Sequence, residues 1–437
     1  MDAVFADIGA DAPGAAVLVR QGGAVVHRAG YGTAHMDHAI PITPATVFDI
    51  ASISKQFGAM TALLLAADGT LDLDADVRTW VPELPDFGRT ITPRHLLHHT
   101  SGIRDWPHTM GLGGVEMSDV ISYEKILRML FHQQALNFDP GAEYAYSNTG
   151  YNLLALTLER ASGMSFRALT EARIFAPLGM THTHFSDNTN EIVPGRAESY
   201  APVEGGWERR VNQLSALASS SLHTTIDDFT RWMENFETAR VGGPEIVGRM
   251  RERAVLNGGD TIDYAYGLVV GAYRGLPTFR HGGSWAGYRT EFVRFPEQDL
   301  SIAVFCNFST CDPGGRAQRI AEAWLEDQME PAPEQPAPRE RPEPLRLTAE
   351  QLAAYTGAYW SPEVDATYRV EARDGGLHLD DWRGSPVTLE GVEPDAFRSD
   401  HPWWPRVQFT RARGGEVDGL TVTGDRVRAL RFERVER

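Results

Sequence analysis

Ser52 stands three residues ahead of Lys55 in the run Phe48-Asp49-Ile50-Ala51-Ser52-Ile53-Ser54-Lys55-Gln56-Phe57, a spacing that can carry nucleophilic chemistry. A hydroxyl attacks a carbonyl carbon only when a neighbouring base takes its proton, and an amine one helical turn away is such a base. Apolar residues at 53, 57, 60 and 64 keep helical spacing, so a helix begins near Ser52, its N-terminus favouring the negative charge that develops during attack. The same residues also make an ordinary helix start, because serine is a preferred N-cap. The rest of the sequence decides between the two.

Downstream lies Tyr146-Ser147-Asn148, inside a glycine-bracketed loop, Gly141 to Tyr151, that runs into a helix and can aim side chains into a cleft. Farther on, Arg280-His281-Gly282-Gly283-Ser284 falls within a strand, where paired glycines let a substrate backbone lie against the sheet. Lysine near its reference pKa of about 10.4 is a poor base at neutrality, so Lys55 must lose its proton through burial, or Tyr146 must serve, helped by a Lys55 cation. Both assignments are chemically workable.

Ser-x-x-Lys, Tyr-x-Asn and His-Gly-Gly in this order resemble the three motifs of the serine penicillin-recognising enzymes. That family includes class C β-lactamases, DD-peptidases, D-aminopeptidases and β-lactamase-fold esterases. The resemblance covers roughly residues 5–330. His95 to Ile103 is similar to its Leu-Leu-x-His-Thr-Ser-Gly segment, and Pro177-Leu178-Gly179-Met180 to its Pro-Leu-Gly-Met segment.

The resemblance implies that Ser52 is acylated, that Lys55 and Tyr146 share proton transfer, and that Asn148, His281, Gly282 and Gly283 meet the substrate. It also implies an oxyanion hole from the backbone N–H groups of Ser52 and Ser284, and no cofactor. β-Lactamases place lysine where this chain has His281. Lysine is a fixed cation for a substrate carboxylate and histidine is only partly charged, so the chain looks more like the D-aminopeptidases and esterases. The reaction class is hydrolysis of small esters, or of amides and peptides including D-amino-acid ones. The alternatives are a β-lactamase or DD-carboxypeptidase, and a relative that kept the fold as a binding or filament-forming protein.

The elements that must position these residues follow from periodicity. Ala15 to Val19 and Ala24 to His27 read as one hairpin, and Phe279 to Phe295 with Leu300 to Phe305 as another. Between them, 52–67, 123–132 and 150–161 carry helical spacing. The fold class is α+β: an antiparallel sheet flanked by helices, with an all-helical subdomain, over residues 1–330. Residues 331–345 are a proline-rich linker. Residues 346–437 alternate apolar and polar between turn signals such as Asp374-Gly375-Gly376 and Gly424-Asp425, and close into a small lipocalin-like antiparallel β-barrel. Its role is either gating of the active-site mouth or stability and assembly.

Other clusters read as structural. His95, His98 and His99, and His182 with His184, lack the carboxylates or cysteines that would complete a metal site, so no metal is expected. Asp227 and Asp228 belong to a helix start. Trp106, Trp285 and Tyr288 either line an acyl pocket or pack. Cys306 lies in a buried strand, and two cysteines make no disulfide framework.

With 41 basic and 59 acidic residues the net charge is −18, which repels nucleic acid. The longest apolar stretch near the front, Ala62 to Ala67, is far short of a membrane span. The start, MDAVFADIGA, lacks a basic and an apolar signal region, so the expected location is cytoplasmic, or periplasmic if a leader has been removed. The expected partner is a small-molecule or peptide substrate, with a homo-oligomer left open.

Overall fold

The computed structural model describes residues 1–332, 341, 343–380 and 386–436. Strands from both ends of the first 330 residues meet in one antiparallel sheet. In chain order they are β1 (Ala15–Gln21), β2 (Ala24–Tyr31), β3 (Val269–Tyr273), β4 (Leu276–Trp285), β5 (Tyr288–Phe295) and β6 (Leu300–Cys306). In space they run β3-β4-β5-β6-β1-β2, with β1 pairing β6 from Ala15↔Cys306 to Gln21↔Leu300.

β1 and β6 are buried along their length because both faces of the sheet are covered. Ala16, Leu18, Ala303 and Phe305 share one core with residues of α1 (Lys55–Ala67), α2 (Asn148–Ser162) and α3 (Ile226–Thr238). Ala15, Val17, Val19, Ile302 and Val304 face the other side, against Ala317, Ile320 and Ala321 of α4 (Pro313–Leu325). Alternation of side chains along a strand thus builds two cores from one run of apolar residues.

The helical subdomain contains Pro93–Leu97, Trp106–Leu112, Tyr123–Phe131 and α2. Ser147 caps α2 by accepting from the Gly150 N–H, and Gly163 ends it with a left-handed φ of 71°. α3 starts at a cap as expected, Thr225 accepting from the Asp228 N–H.

Three local expectations are corrected. Ser52 lies in a 3₁₀ turn, Ala51–Ser54, with the α-helix starting at Lys55, because β4 and β5 hold the backbone before it. The long strand expected over Phe279 to Phe295 is two strands, β4 and β5, turning through Ala286 and Gly287; Ala286 takes a left-handed φ of 48° without the Asn-Gly pair that marks such turns. Cys306 and Cys311 form a disulfide, since the chain turns back after β6 and brings the two together.

The C-terminal part is a closed eight-stranded barrel spanning Gly357–Ser361 to Leu430–Val435, in which the first strand pairs the last, Ala358↔Val435. Closure removes open edges. Tyr359, Tyr368, Trp404, Phe409 and Phe432 are buried in its core, so side chains fill the interior. Of the linker expected at 331–345, residues 333–340 and 342 lie outside the described residues. Among the described residues no helix is long and apolar enough to cross a membrane.

The barrel docks on the helical subdomain through a buried Arg104–Glu363 pair, reinforced by Arg104 Nη2 donating to the Arg428 carbonyl at 3.0 Å. The Tyr368 hydroxyl donates to the Leu112 carbonyl at 2.8 Å, and the Arg428 N–H to Asn137 Oδ1 at 2.8 Å.

Candidate active site

The turn that carries Ser52 is held from below. Ala51 takes a left-handed φ of 47°, unfavourable for a residue with a Cβ, and it persists because its surroundings over-determine it. Its N–H donates to Asp49 Oδ1 at 2.8 Å, Asn212 Nδ2 donates to Asp49 Oδ2 at 2.8 Å, and Trp285 Nε1 donates to Asn212 Oδ1 at 2.9 Å. Burial pushes the Asp49 carboxyl up to about 6 against these hydrogen bonds. The Thr290 hydroxyl fixes the Ile50 carbonyl at 3.0 Å.

Lys55 lies beneath Ser52 and is fully buried. Its Nζ is 3.1 Å from Ser52 Oγ, 2.8 Å from Asn148 Oδ1 and 2.7 Å from the Ser219 carbonyl oxygen. Burial holds its pKa well below the usual lysine range; Asp105 opposes the shift and Arg426 adds to it. A neutral amine has two N–H bonds and one lone pair. In that neutral form its two hydrogens go to Asn148 Oδ1 and the Ser219 carbonyl, which can only accept, and the lone pair is what remains for Ser52; the protonated amine donates to Ser52 Oγ instead.

α2 delivers the second motif. Asp105 accepts from the Asn148 N–H at 2.6 Å and from Asn148 Nδ2 at 3.1 Å, and the Trp106 N–H donates to Thr149 Oγ1 at 2.7 Å. One amide hydrogen of Asn148 is therefore held by the protein, and Asn148 lines the cleft. For Tyr146, burial is the largest effect and raises the phenol above the ordinary range, with Ser52 opposing the shift. Its ring packs 4.2 Å from His99, centroid to centroid.

On β4, His281 is buried with both ring nitrogens engaged: Nδ1 is 2.7 Å from the Gly282 carbonyl and Nε2 is 3.0 Å from the Tyr264 hydroxyl. The carbonyl can only accept, so the proton sits on Nδ1 and Nε2 accepts from Tyr264. Burial, with the nearby Lys55, pushes its pKa down to about 3. The expected partial charge is corrected to a neutral ring.

The two glycines differ. A Cβ on Gly283 would lie 2.4 Å from the Ile50 carbonyl oxygen and 2.3 Å from Thr290 Oγ1, so its bareness seats β4 against the segment leading to Ser52. A Cβ on Gly282 would meet Glu291 Oε2 at 2.9 Å.

Ser52, Tyr146, Asn148, His281, Gly282, Gly283 and Ser284 all line one cleft of about 710 Å³, and the buried Lys55 lies beneath Ser52. Trp106 and Trp285 line it as well, their rings 5.8 Å apart. Tyr288 instead packs in the core, donating to the Ala197 carbonyl at 2.5 Å. His99 lies under Tyr146 with Nδ1 accepting from the Ser147 N–H at 3.1 Å, and among the described residues no group of three His, Cys, Asp or Glu could hold a metal ion.

Sequence reasoning missed four residues at this site: Asp105, Glu291, Trp403 and Arg426. Asp105 stands two residues after the His95 to Ile103 segment, a usable signal. Arg426 arrives from the barrel loop read only as a turn. Its Nη1 pairs with Asp105 Oδ2 at 3.1 Å, and its guanidinium stands 4.7 Å from the Tyr146 ring centroid. Glu291 is 6% exposed and pairs with Arg280 at 3.4 Å; burial raises its carboxyl to about 7.

A helix-backed antiparallel sheet followed by a separate barrel is the architecture of a β-lactamase-fold serine hydrolase. The chain belongs to the Beta-lactamase family, whose model matches residues 1–325. It is 29% identical to a D-aminopeptidase of Gluconobacter oxydans over 87% of this chain and 69% of that protein. It is also 29% identical to penicillin-binding protein 4* of Bacillus subtilis, over 83% of each chain. Its fold is that of the octameric penicillin-binding protein homologue from Pyrococcus abyssi, with a TM-score of 0.64 over 96% of each chain at 22% identity.

Proposed function

We propose that the protein hydrolyses small esters, or amides and peptides including those of D-amino acids, through an acyl-enzyme on Ser52. The observation that carries this reading is the placing of Lys55 Nζ 3.1 Å from Ser52 Oγ, with its other two partners, Asn148 Oδ1 and the Ser219 carbonyl, able only to accept. Lys55 is the base and Tyr146, held protonated by burial, is the proton relay.

Ser52 Oγ attacks the substrate carbonyl carbon as its proton passes to Lys55. The N–H groups of Ser52 and Ser284 stabilise the oxyanion. The carbonyl–leaving-group bond then breaks. The leaving atom takes a proton from the Tyr146 hydroxyl, which regains one from Lys55. Water repeats the sequence on the acyl-enzyme and frees Ser52.

The neutral His281, with both nitrogens occupied, offers no cation to a substrate carboxylate, which favours this reading over a β-lactamase or DD-carboxypeptidase. The likeness to a D-aminopeptidase points the same way. The test is turnover of p-nitrophenyl esters, D- and L-aminoacyl anilides and nitrocefin by the wild type and by Ser52→Ala, with fluorophosphonate labelling of Ser52. The expected result is ester and D-anilide turnover that Ser52→Ala abolishes while remaining folded. Retained turnover in Ser52→Ala, or an unlabelled Ser52, would sink the proposal.

A further inference from the structure

A line of contacts runs from the barrel to the candidate nucleophile. Arg426 Nη1 meets Asp105 Oδ2 at 3.1 Å, Asp105 takes both the backbone and side-chain N–H of Asn148, Asn148 Oδ1 takes an N–H of Lys55 at 2.8 Å, and Lys55 Nζ faces Ser52 Oγ at 3.1 Å. The loop is anchored at its backbone too, the Arg426 carbonyl accepting from the Asp105 N–H at 3.2 Å and from Asn137 Nδ2 at 3.0 Å. Asp105 is wholly buried, whereas the Arg426 side chain is 46% exposed at the cleft wall.

We infer that Asp105 and Arg426 form a charge couple that positions Asn148 and sets the proton affinity of Lys55, so that the C-terminal barrel is a working part of the active site. The inference rests on Lys55 being the base. Around Lys55 Nζ stand the rings of Tyr146 and Tyr151 at 4.8 and 5.6 Å, the Ser219 carbonyl, and the histidines 99 and 281, both held neutral by burial. Asp105 and Arg426 are the charges that act on it, with opposite sign. An uncompensated Asp105 carboxylate would stabilise the Lys55 ammonium and disable the base. Arg426 cancels that field and, stacked over Tyr146, also favours the phenolate side of proton transfer. Arg426 is thus a positioning residue acting through Asp105, Asn148 and Lys55.

The test is the pH profile of kcat/KM for p-nitrophenyl acetate in four full-length variants: Arg426→Met, Arg426→Lys, Asp105→Asn, and Asp105→Asn combined with Arg426→Met. Arg426→Met should move the acid limb up by about one pH unit, Arg426→Lys should leave it in place, and the double variant should return it towards wild type. Asp105→Asn alone should move it down; should that variant not fold, the two Arg426 single variants still decide. Lower activity at every pH with an unmoved limb in Arg426→Met would overturn the inference and leave the proposed hydrolase standing. Failure of the wild type to label with fluorophosphonate would instead overturn the hydrolase reading, and this inference with it.

Discussion

Lys55 Nζ donates to Asn148 Oδ1 across 2.8 Å, joining the first motif to the second below the cleft floor. The bond orients an amine that also meets the Ser219 carbonyl and Ser52 Oγ and lies against the rings of Tyr146 and Tyr151, and burial there holds its pKa well below the usual lysine range. Activity and stability are therefore set against each other at one residue.

Lys55→Met should lower kcat/KM by about 10²–10⁴-fold, the contribution of a positioned base. The same change should raise resistance to denaturant. The folded pKa is depressed, so the unfolded chain binds the proton that the native state rejects, and this loss of stability grows as pH falls from lysine's ordinary range. Denaturant melts at pH 7 and pH 10 should show a larger gain at pH 7; a destabilised variant at both would contradict it.

Gly283→Ala places a methyl group 2.4 Å from the Ile50 carbonyl, and backbone has to move. The expected effect is a loss of about 1–3 kcal/mol in stability with a larger proportional loss of kcat, since the displaced segment carries Ser52. Gly282→Ala meets only the end of the Glu291 side chain and should be milder. Parallel kcat and melting measurements on the pair separate the two positions.

Glu291 has a folded pKa raised to about 7 by burial. A raised carboxyl contributes stability that is complete below its unfolded pKa of about 4.5 and is lost as pH rises through about 7. Glu291→Gln should remove that slope, worth about 3 kcal/mol over the window. Equilibrium unfolding at several pH values between 4 and 8 checks it; an unchanged slope would refute the assignment.

Arg104→Met leaves Glu363 buried without its cation, which should cost about 3–5 kcal/mol. Adding Glu363→Gln should restore most of this. Limited proteolysis near the barrel junction reads out the docking directly, and accelerated cleavage in the single variant that slows again in the double variant is the expected pattern.

Much of this site was legible in the chain because motif spacing and residue type survive without coordinates. Ser52 with Lys55, Tyr146 with Asn148, and His281 with Gly282 and Gly283 could each be named from type and order, whereas the 3₁₀ turn that holds Ser52 ahead of α1 was not visible in the helical periodicity. The alternation that closes the barrel was likewise readable, though not the count of eight strands, because side chains of a closed sheet must alternate inward and outward.

Tertiary structure decided the proton states and the reach of the barrel. Whether Lys55 or His281 carries charge depends on burial and on which neighbouring oxygens can only accept, and both are set by contacts between distant segments. Ser52 as the candidate nucleophile was open to reading from local pattern. Arg426 as its distant neighbour was not, because a loop 321 residues beyond Asp105 reveals its partner only when the barrel is docked.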